Sequence, residues 1–174
     1  MNETALLIAA TLAAGTPLAL AGLGLLINEK VGVLNLGAEG MMLIAAVAGF
    51  ATSYHTGNDW LAFVAGAAAG AAAASIFGWL VIWLGTNQYA TGLALSLFGG
   101  GFSAFVGIDY VGKKLAERPD YAVPGLSDLP FVGTALFHQH PMAYLTIALA
   151  GLIAWVFYRT RTGLVLRAVG ESPE

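Results

Sequence analysis

Apolar residues run through the chain in five long stretches that short polar segments separate. The stretches cover residues 4–27, 31–54, 60–84, 88–111 and 141–158. A helix needs around 20 apolar residues to cross the hydrocarbon core of a bilayer, and each stretch meets or approaches that length. The pattern predicts an all-α fold, a polytopic transmembrane bundle of about five spans in one domain over residues 1–174.

The distribution of charge supports this prediction and excludes other classes. Only 10% of the 174 residues are charged, against roughly 25% in a soluble domain. Fifteen of the 17 charged residues lie outside the five stretches, the exceptions being Glu39 and Asp109. The net charge of −3 argues against nucleic-acid binding, and the absence of cysteine excludes disulfides and thiolate metal ligands. We find no catalytic motif and expect neither a metal site nor a cofactor.

The connectors alternate between the two sides of the predicted membrane domain. Residues 28–30 and 85–87 form tight turns on one side, and 55–59 and the long loop 112–140 lie on the other. Positive charges are divided four against three between the sides, so the positive-inside rule leaves the orientation open.

Residues 28–42, NEKVGVLNLGAEGMM, combine Asn35 and Glu39 with three glycines at the start of the second stretch. This composition predicts an irregular start to that helix, with its free backbone groups buried in protein or lining a wet cavity. Two interpretations remain open. Asn35 and Glu39 shape a substrate path, or they hold a tight corner between two helices.

Residues 85–101, GTNQYATGLALSLFGGG, begin a helix at Asn87 and place Gly99, Gly100 and Gly101 near its middle, where we expect them to interrupt it. A kink, a hinge or a close helix crossing would account for three successive glycines. A small residue also recurs at every fourth position of the third and fourth stretches, which is typical of helices that pack closely together in membranes.

Residues 159–174, RTRTGLVLRAVGESPE, follow the last stretch and contain a short amphipathic piece, Leu164–Val169, between Gly163 and Gly170. Without other information this segment is a basic membrane anchor. Its last residues, Ser172, Pro173 and Glu174, have the pattern of a helix start, so we expect the reading frame to be truncated there.

These three segments together resemble the permease subunit of a bacterial ABC importer, in the group that includes ribose-type and branched-chain amino acid permeases. NEKVGVLNLGAEGMML is similar to a stretch of the nucleoside/purine-type branch, and GTNQYATGLALSLFGGGFSAFVG to the segment after the next cytoplasmic turn of that branch. TGLVLRAVGESPE is similar to the cytoplasmic coupling loop. Family members are longer, with further spans after that loop.

The resemblance implies a multi-pass protein of the bacterial cytoplasmic (inner) membrane that imports a nucleoside, a purine or a simple sugar by alternating access. ATP hydrolysis would occur on separate ABC ATPase subunits, and the other partners would be a second permease subunit and an extracytoplasmic substrate-binding protein. The candidate path residues are Asn35, Glu39, Asn87, Gly99, Gly100 and Gly101. The candidate ATPase-coupling residues are Gly163, Leu164, Leu166, Arg167, Val169 and Gly170.

The resemblance implies that Leu164, Leu166 and Val169 seat in an apolar groove of the ATPase, with Arg167 at its rim. Two other functions stay open. A secondary transporter or channel would use Glu39 as an ion-linked carboxylate in the membrane, and a truncated, non-transporting remnant would have no ATPase partner.

Overall fold

The computed structural model of the chain describes residues 3–115, 121 and 132–171. Its helices, in chain order, are α1 (Glu3–Lys30), α2 (Ala38–Thr56), α3 (Asp59–Gly78), α4 (Gln88–Gly107), α5 (Val132–Leu136), α6 (Pro141–Arg159) and α7 (Arg161–Glu171). A π-helical turn, Trp79–Trp83, extends α3, and a 3₁₀ turn, Ile108–Tyr110, extends α4. The all-α prediction is confirmed, since no strand occurs in the described ranges.

Four helical segments are long and apolar enough to cross a membrane, namely Glu3–Lys30, Asp59–Trp83, Gln88–Tyr110 and Pro141–Arg159. Within the described part of the chain, α2 is not among them. It begins at Ala38 rather than at residue 31, and its 19 residues include Glu39 near one end and the polar Thr-Ser-Tyr-His-Thr sequence at the other. These residues lower its mean hydropathy, so the fifth span stays a prediction.

The chain divides into two compact units, and each is described by itself. One unit, Val33–Glu117, contains α2, α3 and α4. The other consists of Met1–Gly32 and Arg118–Glu174, and its described helices are α1, α5, α6 and α7. Most of the predicted outer loop lies outside the described residues, as does the predicted helix start at Ser172, Pro173 and Glu174.

In the unit Val33–Glu117, α2 packs against α3 and α4. The backbones of α2 and α3 approach closely at Gly66, where an added Cβ would lie 3.0 Å from the carbonyl oxygen of Ala45. Small residues make such an approach possible, and dispersion between the helices then stabilises the pair in lipid. The buried core of this unit consists of Met41, Ala73, Phe77, Val81 and Leu95.

Polar side chains fix where the helices of this unit begin. The Asn58 side chain accepts hydrogen bonds from the backbone N–H groups of Trp60 and Leu61 at the start of α3. The Asn87 side chain accepts one from Ala90 at the start of α4. Such caps satisfy donors that have no partner within the helix. The sequence prediction that Asn87 begins a helix is therefore confirmed.

Candidate functional site

The segment that leads into α2, residues 33–37, is non-helical, as the sequence predicts, and we call it the entry segment. Its backbone is held by side chains of α4. The Leu34 N–H donates to Oε1 of Gln88 over 2.7 Å, and Oγ of Ser96 donates to the Leu36 carbonyl oxygen over 2.8 Å. Irregular backbone at membrane depth requires such partners because lipid offers none.

Asn35 supports the entry segment from within. Its side-chain oxygen accepts a hydrogen bond from the Gly37 N–H over 2.8 Å, immediately before α2 begins. Its Nδ2 lies 3.7 Å from the sulfur of Met41. Asn35 is half-buried, and its amide oxygen already has a backbone partner. These contacts favour the interpretation that Asn35 holds a tight corner.

Glycines bring α4 against the entry segment and against α2. A Cβ on Gly92 would lie 2.8 Å from the Leu36 nitrogen, and one on Gly40 would lie 2.6 Å from the Ser96 Cα. A Cβ on Gly99 would overlap the backbone of Gly40. No side chain fits at these positions, so the backbones of α2 and α4 are in direct contact there.

The sequence pattern predicts that the triple glycine interrupts the fourth helix, and this prediction is wrong. The helix α4 is continuous from Gln88 to Gly107. Only Gly99 of the three lies at the crossing, whereas a Cβ on Gly100 or Gly101 would meet nothing within 4 Å. Of the three explanations for these glycines, the structure supports a close crossing at Gly99, since the crossing requires a residue without a side chain.

Glu39 lies in the first turn of α2, where a carboxylate complements the positive end of the helix dipole. Its side chain is exposed in the isolated chain and makes no hydrogen bond within the described ranges. Asn35, Glu39 and Gly99 thus belong to one region around the α2–α4 crossing. Asn87 instead lies exposed at the start of α4 and acts there as a cap.

Sequence reasoning missed Gln88 and Ser96 as the partners of the entry segment, and Gly40 as the partner of Gly99. Ser96 is one of the small residues that recur at every fourth position of the fourth stretch. This repeat was the available signal, but it does not show which backbone the hydroxyl reaches. Gln88 directly follows the predicted helix start at Asn87, and no sequence signal links it to Leu34.

In the other unit, α7 is seated on α6 and on the end of α1 through two glycines. A Cβ on Gly163 would lie 2.5 Å from the Phe157 Cα, and one on Gly170 would lie 2.9 Å from the Lys30 carbonyl carbon. Gly32 is left-handed, with φ of 81°, and the chain turns there directly after α1. Two of the candidate coupling residues, Gly163 and Gly170, are therefore points of close backbone contact between α7 and its own unit.

Because Gly163, Arg167 and Gly170 are spaced by four and three residues, they lie on one face of α7. We call the opposite face the outer face, and it presents Leu164, Val165 and Val169 with exposures of 60, 59 and 53%. Leu166 is less exposed, at 36%. The outer face is apolar and has no partner in the described part of this unit.

Arg167, a candidate coupling residue, contacts its own unit. It is half-buried, and its guanidinium carbon lies 5.4 Å from the centre of the Tyr158 ring on α6. Val165, which sequence reasoning omitted, is more exposed than Leu166, which it included. The amphipathic pattern marks the helix as two-sided, but only the positions of Gly163 and Gly170 show which side is inward.

The arrangement defines a helical protein whose described part has four helices long and apolar enough to cross a membrane and a short amphipathic helix directly after the last of them. The family described as the branched-chain amino acid transport system / permease component matches residues 7–174. The chain belongs to this family, and the predicted resemblance is confirmed. No solved structure matches the chain.

Three curated proteins, all named as ABC transporter permeases, are similar in sequence to the chain. The chain is 44% identical over its whole length to a putative glucose ABC transporter permease protein of Haloferax volcanii, of which it covers 54%. It is 32% identical over 97% of its length to a guanosine ABC transporter permease protein of Bacillus subtilis, of which it covers 56%. It is 29% identical over its whole length to a nucleoside ABC transporter permease protein of Lactococcus lactis, of which it covers 58%. The chain therefore spans slightly more than half the length of these relatives.

Proposed function

We propose that the chain forms part of the membrane-spanning permease of an ATP-driven importer for a small hydroxylated solute. The observation that carries the proposal is α7, an amphipathic helix seated by two glycines on the ends of two membrane-spanning helices. The family match of the chain over residues 7–174 supports the same function. ATP hydrolysis takes place on a separate ATPase subunit.

The outer face of α7 is the proposed docking surface for that ATPase. Its residues Leu164, Val165 and Val169 are exposed and apolar, and the basic residues Arg159 and Arg161 lie nearby in the sequence. An exposed apolar face bordered by polar residues is typical of a protein interaction site, where burial in a groove removes it from water. Gly163 and Gly170 hold the inner face directly on backbone, so displacement of α7 moves α6 and the end of α1 together. This contact transmits closure of the ATPase into alternating access.

The substrate is proposed from the names of the relatives, which are given as permeases for glucose, guanosine and nucleosides. Glucose and the nucleosides share a hydroxylated sugar ring. The exposed carboxylate of Glu39 offers acceptors for such hydroxyl groups near the α2–α4 crossing. A second permease subunit completes the path, and an extracytoplasmic binding protein delivers the solute.

The test uses the complete transporter that contains this chain, reconstituted in liposomes with its ATPase. Val165→Glu places a charge on the outer face of α7, and we expect loss of ATPase co-purification and of ATP-dependent uptake of labelled guanosine or glucose. Arg161→Gln, on the same helix but outside the apolar set, is the matched control and should assemble normally. Normal assembly and uptake with Val165→Glu would refute the docking surface.

The second candidate, ion-coupled transport through Glu39, is favoured by the exposure of this carboxylate without a hydrogen-bond partner among the described residues. Glu39→Gln distinguishes the two. An importer driven by ATP retains its dependence on ATP and shows no dependence on an ion gradient in either form. Uptake driven by a proton or sodium gradient without ATP, and lost in Glu39→Gln, would replace the first proposal.

A further inference from the structure

A small cavity lies between the last turns of α1, the second half of α6 and α7, within one compact unit. Its volume is about 90 Å³. Three of its lining residues, Lys30, Tyr158 and Arg167, carry polar groups. The apolar lining residues are Leu23, Leu26, Ala150, Ile153, Ala154 and Phe157.

The two cations of this cavity have no carboxylate partner in the parts of the chain that the structure describes. The Nε atom of Arg167 is buried and makes no hydrogen bond to any described residue. The guanidinium lies over the Tyr158 ring, which accepts a cation on its face but leaves the in-plane N–H donors free. Buried donors are normally satisfied, so an unpaired one at a cavity wall indicates an acceptor outside the described residues.

The position of the cavity restricts what that acceptor can be. Lys30 is the last residue of α1 and Arg159, next to Tyr158, is the last of α6, so the cavity lies where two membrane-spanning helices end. Phospholipid headgroups occupy this level of a bilayer, and basic pockets between helices there bind anionic headgroups. Leu26 and Leu23, one turn and two turns before Lys30, continue the wall toward the hydrocarbon region.

We propose that this cavity binds the phosphodiester of an anionic phospholipid, with Arg167 and Lys30 as its cationic partners. The cavity is too small for a whole lipid, so the acyl chains lie along the apolar surface formed by Leu23, Leu26 and Ile153. The lipid then connects α7 to α1 and α6 in addition to the two glycine contacts. The outer face of α7 takes no part, so this site is independent of ATPase docking.

The experiment is native mass spectrometry of the detergent-purified transporter that contains this chain, titrated with phosphatidylglycerol. We expect Arg167→Gln and Lys30→Gln each to weaken binding about fivefold, the usual contribution of one basic residue beside an anionic lipid surface. Arg167→Lys keeps the charge and should retain most of the affinity. Arg161→Gln, which removes an exposed charge of the same helix outside the cavity, is the matched control and should leave binding unchanged.

Four results would overturn the proposal. An equal loss in Arg161→Gln would show diffuse attraction to the helix, and an equal loss in Arg167→Lys would show that the charge is not what binds. Displacement of the lipid by millimolar inorganic phosphate would identify a site for a free anion instead. Equal affinity for zwitterionic phosphatidylcholine would likewise exclude selection for an anionic lipid. Circular dichroism of each variant establishes that helix content is retained.

Discussion

The triple glycine of α4 offers a sharp test of the helix crossing, because three adjacent and chemically identical positions have different surroundings. Gly99→Ala adds a methyl group that overlaps the Gly40 backbone, whereas Gly100→Ala and Gly101→Ala add it to open space. Alanine in place of glycine favours a helix by about 0.5–1 kcal/mol at all three positions. Overpacking at a contact costs about 1–3 kcal/mol, and backbone atoms cannot move aside as a flexible side chain can.

We therefore expect Gly99→Ala to lower the free energy of unfolding by roughly 1–2 kcal/mol and the other two variants to be neutral or stabilising. For a chain of this size, 1 kcal/mol corresponds to about 2–4 °C in melting temperature.

The assay is fluorescence-detected size-exclusion chromatography of the detergent-solubilised protein after heating, with all three variants measured side by side. A Gly99→Ala melting temperature equal to that of Gly100→Ala would refute the close crossing. A lower melting temperature for Gly100→Ala than for Gly99→Ala would refute the assignment of Gly99, rather than Gly100, to the crossing.

Two further predictions concern single contacts. Ser96→Ala removes the donor to the Leu36 carbonyl and should destabilise the protein by about 1 kcal/mol, whereas Ser75→Ala, which removes a bond within its own helix, should change little in the same melting assay. An equal effect of the two would contradict the role of α4 in holding the entry segment. Gly170→Ala should move α7 away from the end of α1 and accelerate hydrogen exchange of the α7 amides. Unchanged exchange would show that the contact between Gly170 and Lys30 does not stabilise α7.

Sequence reasoning predicted the features that depend on local composition. The apolar stretches gave the helical class, Asn87 marked the start of α4, and the clustered glycines with Asn35 indicated an irregular segment before α2. Local signals are sufficient for these features because caps, turns and apolar length act over a few residues.

The features that depend on helix rotation could not be predicted in this way. Which of the three successive glycines touches Gly40 depends on how α4 is turned about its axis. The partners Gln88 and Leu34 are 54 residues apart, and Ser96 and Leu36 are 60 apart, so no short motif joins them. For the same reason the pattern of α7 predicted an amphipathic helix but did not show that Arg167 lies over the Tyr158 ring of α6.

The junction between α6 and α7 has a mechanical consequence. A single non-helical residue, Thr160, separates the two helices, and its hydroxyl both donates to the Val156 carbonyl over 2.6 Å and accepts from the Gly163 N–H over 3.1 Å. With a single connecting residue held by two hydrogen bonds, the angle between α6 and α7 can change little. A displacement of α7 therefore rotates α6 directly, because no flexible linker between the two helices can bend and absorb it.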